Sequence, residues 1–240
     1  MGGAAPAPGG YFAWSSDPAV ALIAVLPLWI VYEILRLVLT PNERNGAELL
    51  LLREMNRIGG HGLLVLRAAL AVLTAFAARS LFRRQVPWLR VAAVLILEGS
   101  VYGVMLGPIA SAMTSSATRL LSTTPAASEL TANLVGSMGA GIFEELVFRL
   151  GLMSALVWVA LQAVRAWSLP QWVAGLFAMI VSALVFSWFH HLCGEPFEQT
   201  RFLFRTMAGL LLGGLMWARG FGICVYAHTV YNVYFYVADP

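Results

Sequence analysis

The chain has 240 residues, of which 60% are hydrophobic and only 11% charged. A soluble domain carries about 25% charged residues, so this charge content and a mean hydropathy of +0.78 exclude an ordinary water-soluble globule. The net charge is +3 and all fifteen basic residues are arginines, with no basic run interleaved with aromatics; that points to membrane topology and not to nucleic acid.

The apolar runs are continuous and do not alternate, which argues against a β-barrel. The expected fold class is all-α: a polytopic membrane helix bundle of seven or eight transmembrane helices. Residues 1–17 are rich in Gly, Ala and Pro and lack the basic start of a signal peptide. They read as a disordered N-terminal tail ahead of an uncleaved first span.

That span is Pro18–Thr40, where Glu33 and Arg36 share a helical face and can pair. A turn-rich loop, Pro41 to Gly46, leads to Glu48–Ile58, an amphipathic helix expected to lie at the interface. The second span, His61–Phe82, ends in the densest basic loop, Arg83-Arg84-Gln85-Val86-Pro87, which is placed in the cytoplasm. The arginines around Glu48–Ile58 compete with that placement. The third span, Trp88–Ile109, carries Gly99, Gly103 and Gly107, spaced to let another helix approach closely. Its Glu98 is expected to pair with an arginine of a neighbouring helix or to reach a wet cavity.

A polar loop, Ser111–Ser128, precedes the apolar stretch Leu130–Trp167. As one helix that stretch would run about 55 Å, against a hydrocarbon core of about 30 Å. It is therefore one long tilted helix or two shorter ones, with glycines 136, 139 and 141 at the joint. Gln171–Leu192, Arg201–Arg219 and Ile223–Val237 complete the spans, and Gly209 and Gly213 form a further close-packing strip. Cys193 and Cys224 form no CxxC motif and suit helix packing. The chain divides into the tail 1–17, N-terminal helices 18–129, and a core 130–240, all one membrane-embedded domain.

The chemistry gathers in the core. Intramembrane ionisable residues are costly and mark function by default. Glu145 and Arg149 are four apart and form a supporting ion pair. Glu144 points elsewhere and needs a partner from another helix. His190 and His228 lie in apolar segments, and His228 and Asn232 share one face of the last span. A carboxylate beside an imidazole can hold and deprotonate water; an imidazole N–H and a carboxamide can donate to an oxyanion. Glu144, His190 and His228 would also make a His₂Glu zinc set, although no HExxH pre-forms one. Other readings of the buried groups are a non-catalytic scaffold or a proton-coupled transporter, the latter opposed by the lack of an internal repeat.

Glu144-Glu145-x-x-x-Arg149, then Phe186-x-x-x-His190, then His228-x-x-x-Asn232, in that order and on hydrophobic segments, resembles the CPBP intramembrane proteases, which include CAAX prenyl endopeptidases and bacteriocin-processing (Abi) proteins. The resemblance covers about Leu130 to Val237. It implies a metal-free glutamate endopeptidase with Glu144 activating water, His190 positioning it, and His228 and Asn232 as the oxyanion site. The implied substrate is a membrane-associated protein cut near a hydrophobic or lipidated C-terminus. The all-Arg usage suggests a bacterial inner membrane and, within the family, a myxosortase-like member that processes sorting tails. No cofactor and no nucleic-acid partner are implied; a non-catalytic immunity protein of the same fold is the alternative. In the doubled histidine, the phenylalanine spacing selects His190, and His191 should face away.

Overall fold

The structure, a computed structural model, describes residues 9–41, 44–114 and 127–238, and among these it is helical with no strand. In chain order the helices are α1 (Tyr11–Ser15), α2 (Pro18–Leu39), α3 (Gly46–Gly59), α4 (Gly62–Arg83) and α5 (Trp88–Thr114). After the undescribed loop come α6 (Ala127–Gly139), a π-helical stretch (Ala140–Met153), α7 (Ser154–Ala166), α8 (Trp172–Leu192), α9 (Gln199–Arg219) and α10 (Phe221–Ala238). Five helical runs are long and apolar enough to cross a membrane: Pro18–Leu39, Gly62–Arg83, Trp88–Thr114, Leu130–Ala166 and Trp172–Leu192. The protein is an integral membrane protein.

Helices α9 and α10 were expected to span as well, but their composition falls short of lipid-facing helices. The reason differs for each. Arg201, Arg205 and Arg219 make α9 amphipathic, whereas α10 is wrapped by α2, α5, α6, α9 and the π-helical stretch. Ile223, Cys224, Val225 and Ala227 have no exposed surface at all. A helix hidden among its neighbours can carry the polar groups of a site without meeting lipid.

Helix α5 packs on α10 through the glycine strip anticipated from its spacing. A Cβ on Gly103 would sit 2.6 Å from the Ala227 carbonyl oxygen, and one on Gly99 2.8 Å from Tyr226 Cβ. Likewise, Gly209 and Gly213 of α9 lie against Ala183 and Met179 of α8. Charged residues are paired as their spacing suggested. Glu33 Oε2 accepts from Arg36 Nη2 and from Arg67 Nη2, both at 3.0 Å. Glu98 takes the Arg219 fork at 2.6 and 2.8 Å.

The tail expectation fails from Tyr11 onward. Tyr11–Ser15 is a helical turn whose Tyr11 hydroxyl donates to Glu98, and Phe12 stacks under Arg219 with 4.5 Å to the ring centroid. The aromatic pair supplies a seat for the Arg219 guanidinium that the glycine- and proline-rich composition concealed. Asp17 then caps α2 and accepts from Arg84 at 2.6 and 3.2 Å. That bond holds the Asp17 carboxyl below its ordinary range. Residues 1–8 lie outside the described residues, as do residues 115–126 of the Ser/Thr loop.

The long stretch is one continuous helical run and is not broken into two. Its middle is widened into π turns, with i→i+5 hydrogen bonding. Such turns leave carbonyls that need donors, and Ser182 of α8 supplies one to Phe148 O at 2.7 Å. Alternating helix directions set the basic loop before α5 at one end of the bundle. The C-terminal part of α5, the start of α9 and the α8–α9 connection lie at the other end, around a cavity.

Two glycines test this packing against each other. Gly103→Ala should destabilise the protein by about 1–3 kcal/mol, the usual range for overpacking. Gly214→Ala, where a Cβ meets nothing within 4 Å, should leave thermal unfolding in detergent unchanged or raise it.

Candidate active site

The π-helical stretch presents its two carboxylates to different neighbours. Glu145 has no exposed surface and Arg149 only 1%; Arg149 Nη1 donates to Glu145 Oε1 at 2.9 Å. Arg149 also rests on the Phe186 ring, 4.2 Å from its centroid, and Nη2 approaches the Gly209 carbonyl at 3.4 Å. A buried charge is tolerable only with such partners. Glu145 gathers two more from α10: His228 Nδ1 at 2.7 Å and the Cys224 thiol at 2.9 Å. Gly141 makes this possible, because the Thr229 backbone and side chain occupy the space a Cβ would need.

Glu144 faces the cavity. Its Oε2 lies 3.9 Å from His190 Nε2 and 3.8 Å from His228 Nε2. Thus the structure brings together Glu144, His190 and His228 from three separate helices, and Asn232 lines the same cavity of about 870 Å³. Among the described residues, no group of three or more His, Cys, Asp or Glu side chains is arranged to hold a metal ion, the set weighed for zinc included.

The hydrogen bonds assign the imidazole protons. His190 Nδ1 lies 3.0 Å from the Phe186 carbonyl, which can only accept, so Nδ1 carries the hydrogen. His228 Nδ1 faces a carboxylate already held by Arg149, so it too donates. In the neutral rings both Nε2 atoms are then acceptors. Together with Glu144 Oε2 they form three acceptors around one point, with no donor among them.

His191 faces away, as its position in the helix implied. It approaches the Glu195 carbonyl at 3.4 Å and joins an aromatic group with Trp188, Phe197 and Phe202. At the cavity mouth Arg205 forks onto Glu195 at 2.7 and 3.0 Å. Burial pushes the Glu195 carboxyl up, but the bond to Arg205 and the charges of Arg205, His190 and Arg201 together outweigh it, and the net displacement is downward.

The sequence raises a difficulty of depth, since His190 ends its helix while His228 opens its own. A late start for α8, or a Gln171 placed at the membrane interface, would resolve it; α8 starts at Trp172, directly after Gln171, which removes the late start. The resolution comes from α10. The α9–α10 turn at Gly220, with φ +89°, is half-buried against the end of α1, where Ser16 Oγ donates to Arg219 O at 3.4 Å. Helix α10 therefore begins already inside the bundle. The His190 side chain leans back one turn, as helical side chains do, and its ring sits 5.0 Å from that of Phe186. The His228 ring is 6.0 Å from the same phenylalanine.

Sequence reasoning missed Asn45. Its Nδ2 donates to Glu144 Oε1 at 2.9 Å across 99 positions. Asn45 before a periodic apolar helix signals a cap, but nothing in the spacing connects it to Glu144. The bond between His228 and Glu145 was missed for the same reason.

The ion cluster makes a measurable demand. Arg149→Met should cost about 3–5 kcal/mol, because it strands a buried charge. Adding Glu145→Gln in the same chain should recover part of that loss in thermal unfolding; a strictly additive double variant would refute the pairing.

No curated protein and no solved structure matches the chain at a significant level. Residues 126–234, the segment that supplies Glu144, His190, His228 and Asn232, match the family described as Rce1-like, type II CAAX prenyl endopeptidase Rce1-like. With the three motifs standing on helices of a membrane bundle, this match supports a CAAX-type protease and a hydrolase of the peptidase kind.

Proposed function

We propose that the protein is an intramembrane glutamate endopeptidase. It would hydrolyse a peptide bond near the C-terminus of a membrane-associated protein with a lipidated or hydrophobic tail. One observation carries the reading: the carboxylate oxygen of Glu144 stands within 3.9 Å of two imidazole nitrogens at the wall of a large cavity. Three acceptors around one point call for a ligand that donates, and a water molecule does so twice.

In this mechanism Glu144 and His190 hold the water. Glu144 takes its proton as the oxygen attacks the scissile carbonyl carbon. The carbonyl oxygen becomes an oxyanion facing Asn232 and His228. The Asn232 amide donates as it stands, whereas His228 donates only with a proton on Nε2, and the two glutamates offset the charge of that ring. The proton held by Glu144 then passes to the leaving nitrogen. Glu145 and Arg149 stay outside the chemistry; they fix the His228 ring and satisfy each other. The reaction as written uses no metal or cofactor, and activity after chelation and metal analysis tests that. The cavity walls include Phe204, Tyr231 and Phe235, which suit a bulky apolar tail.

The all-Arg composition supports a bacterial cytoplasmic membrane, and a sorting tail or processed peptide as substrate. With the Arg83–Pro87 loop inside the cell, the cavity mouth opens on the opposite side.

Two experiments follow. Purified protein should cleave a farnesylated fluorogenic CAAX peptide or a lipidated sorting-tail peptide, and Glu144→Gln and His228→Ala should each lower the rate by about 10²–10⁴-fold. Folded variants that cleave at the parental rate would end the assignment. For orientation, Cys193 is exposed near the mouth while Cys224 is buried. A membrane-impermeant maleimide should therefore label the protein in intact spheroplasts; labelling only after lysis would reverse the orientation.

A further inference from the structure

Asn45 stands outside the segment that matches the protease family, in the connection ahead of α3. Its side chain is committed at both ends. Oδ1 accepts from the Ala47 backbone N–H at 2.8 Å, capping α3, and Nδ2 donates to Glu144 Oε1 at 2.9 Å. Flipping the amide would oppose two donors at one end and two acceptors at the other, so its orientation is settled by its partners.

The described residues beside Asn45 are held on two sides. Glu48, one turn into α3, has no exposed surface, accepts from Tyr32 at 2.6 Å and pairs with Arg44. On the other side, a Cβ on Gly46 would lie 3.1 Å from Cys193 Sγ. Helix α3 is thus pinned to α2 at one point and to the end of α8 at another, and the Asn45 amide is held at a set position over the carboxylate.

We infer that Asn45 is a positioning residue for hydrolysis, which it serves by occupying Glu144 Oε1 so that Oε2 alone meets the two imidazoles. The inference rests on the reading of Glu144 as the carboxylate that holds the water. Without the amide, the carboxylate is free to turn and exchange its oxygens. Other ionisable groups set around Glu144 are His190 and Cys193 at the end of α8, Glu195 beyond it, Arg205 on α9, and His228 and Tyr236 on α10. Substitutions at Asn45 leave all of them in place.

The test separates capping from positioning. Ser and Asp cap helices as well as Asn does, but Ser is too short to reach Glu144 and Asp repels it. In the full-length protein, Asn45→Ser should unfold at the parental temperature, whereas Asn45→Asp should unfold lower because of the like charge. With a farnesylated fluorogenic CAAX peptide, kcat should fall by about 10- to 100-fold with KM little changed. Parental kcat in Asn45→Ser overturns the inference, as does a loss of rate in that variant explained by a lower unfolding temperature. The infrared carboxylate stretches of Glu144, assigned by their absence in Glu144→Gln, should move in Asn45→Ser as Oε1 loses its donor, which gives a reading without turnover. Unmoved stretches in Asn45→Ser sink the inference whatever the peptide shows. If Glu144→Gln instead cleaves like the parent, the role of Glu144 falls, whereas Asn45→Ser alone cannot remove it.

Discussion

The structure depends on how one buried arginine is neutralised. Arg149 cannot reach water, so Glu145, the Phe186 ring and the Gly209 carbonyl must surround it. Those partners come from its own helical run, from α8 and from α9. Glu145 in turn binds His228 and Cys224 on α10. One charge thereby fixes the mutual placement of four segments, because in lipid none of them can find water as a substitute partner.

Close backbone approach is the companion constraint. The glycines of α5, Gly141 of the π-helical stretch and Gly209 of α9 let helices touch where side chains would hold them apart. This allows α10 to occupy the middle of the bundle. The first half of α10, residues 222–229, is shielded by its neighbours, and the helix can then carry His228 and Thr229 there and Asn232 one turn on. Its modest hydropathy follows from its location.

Much of this was legible in the residues. Charges three or four apart paired as helical geometry requires, the glycine strips packed against helices, and the three spaced motifs converged on one cavity. What could not be read has a common cause. The Asn45–Glu144 and His228–Glu145 bonds join segments whose relative depth depends on tertiary packing, and no periodicity encodes depth. The helix at Tyr11–Ser15 was hidden for a related reason: composition marks a tail, but the docking of Tyr11 and Phe12 on Glu98 and Arg219 is set by partners far along the chain. The π widening was visible only as an excess of length, with the glycines suggesting a break where the helix instead loosened.

That loosening has a consequence for how the chain tolerates insertions and deletions. Each π turn holds an extra residue, so the angular phase of α7 is offset from that of α6. Deleting one residue between Ala140 and Met153 can be absorbed by tightening one widened turn to α winding, which leaves the flank beyond it close to its old phase. The same deletion within α6 or α7 finds no such slack and swings everything on one side by about 100°. The surplus residue behaves as a local reserve of length, and what its loss would move is the set of side chains inside the widened turns, Glu144 and Glu145 among them.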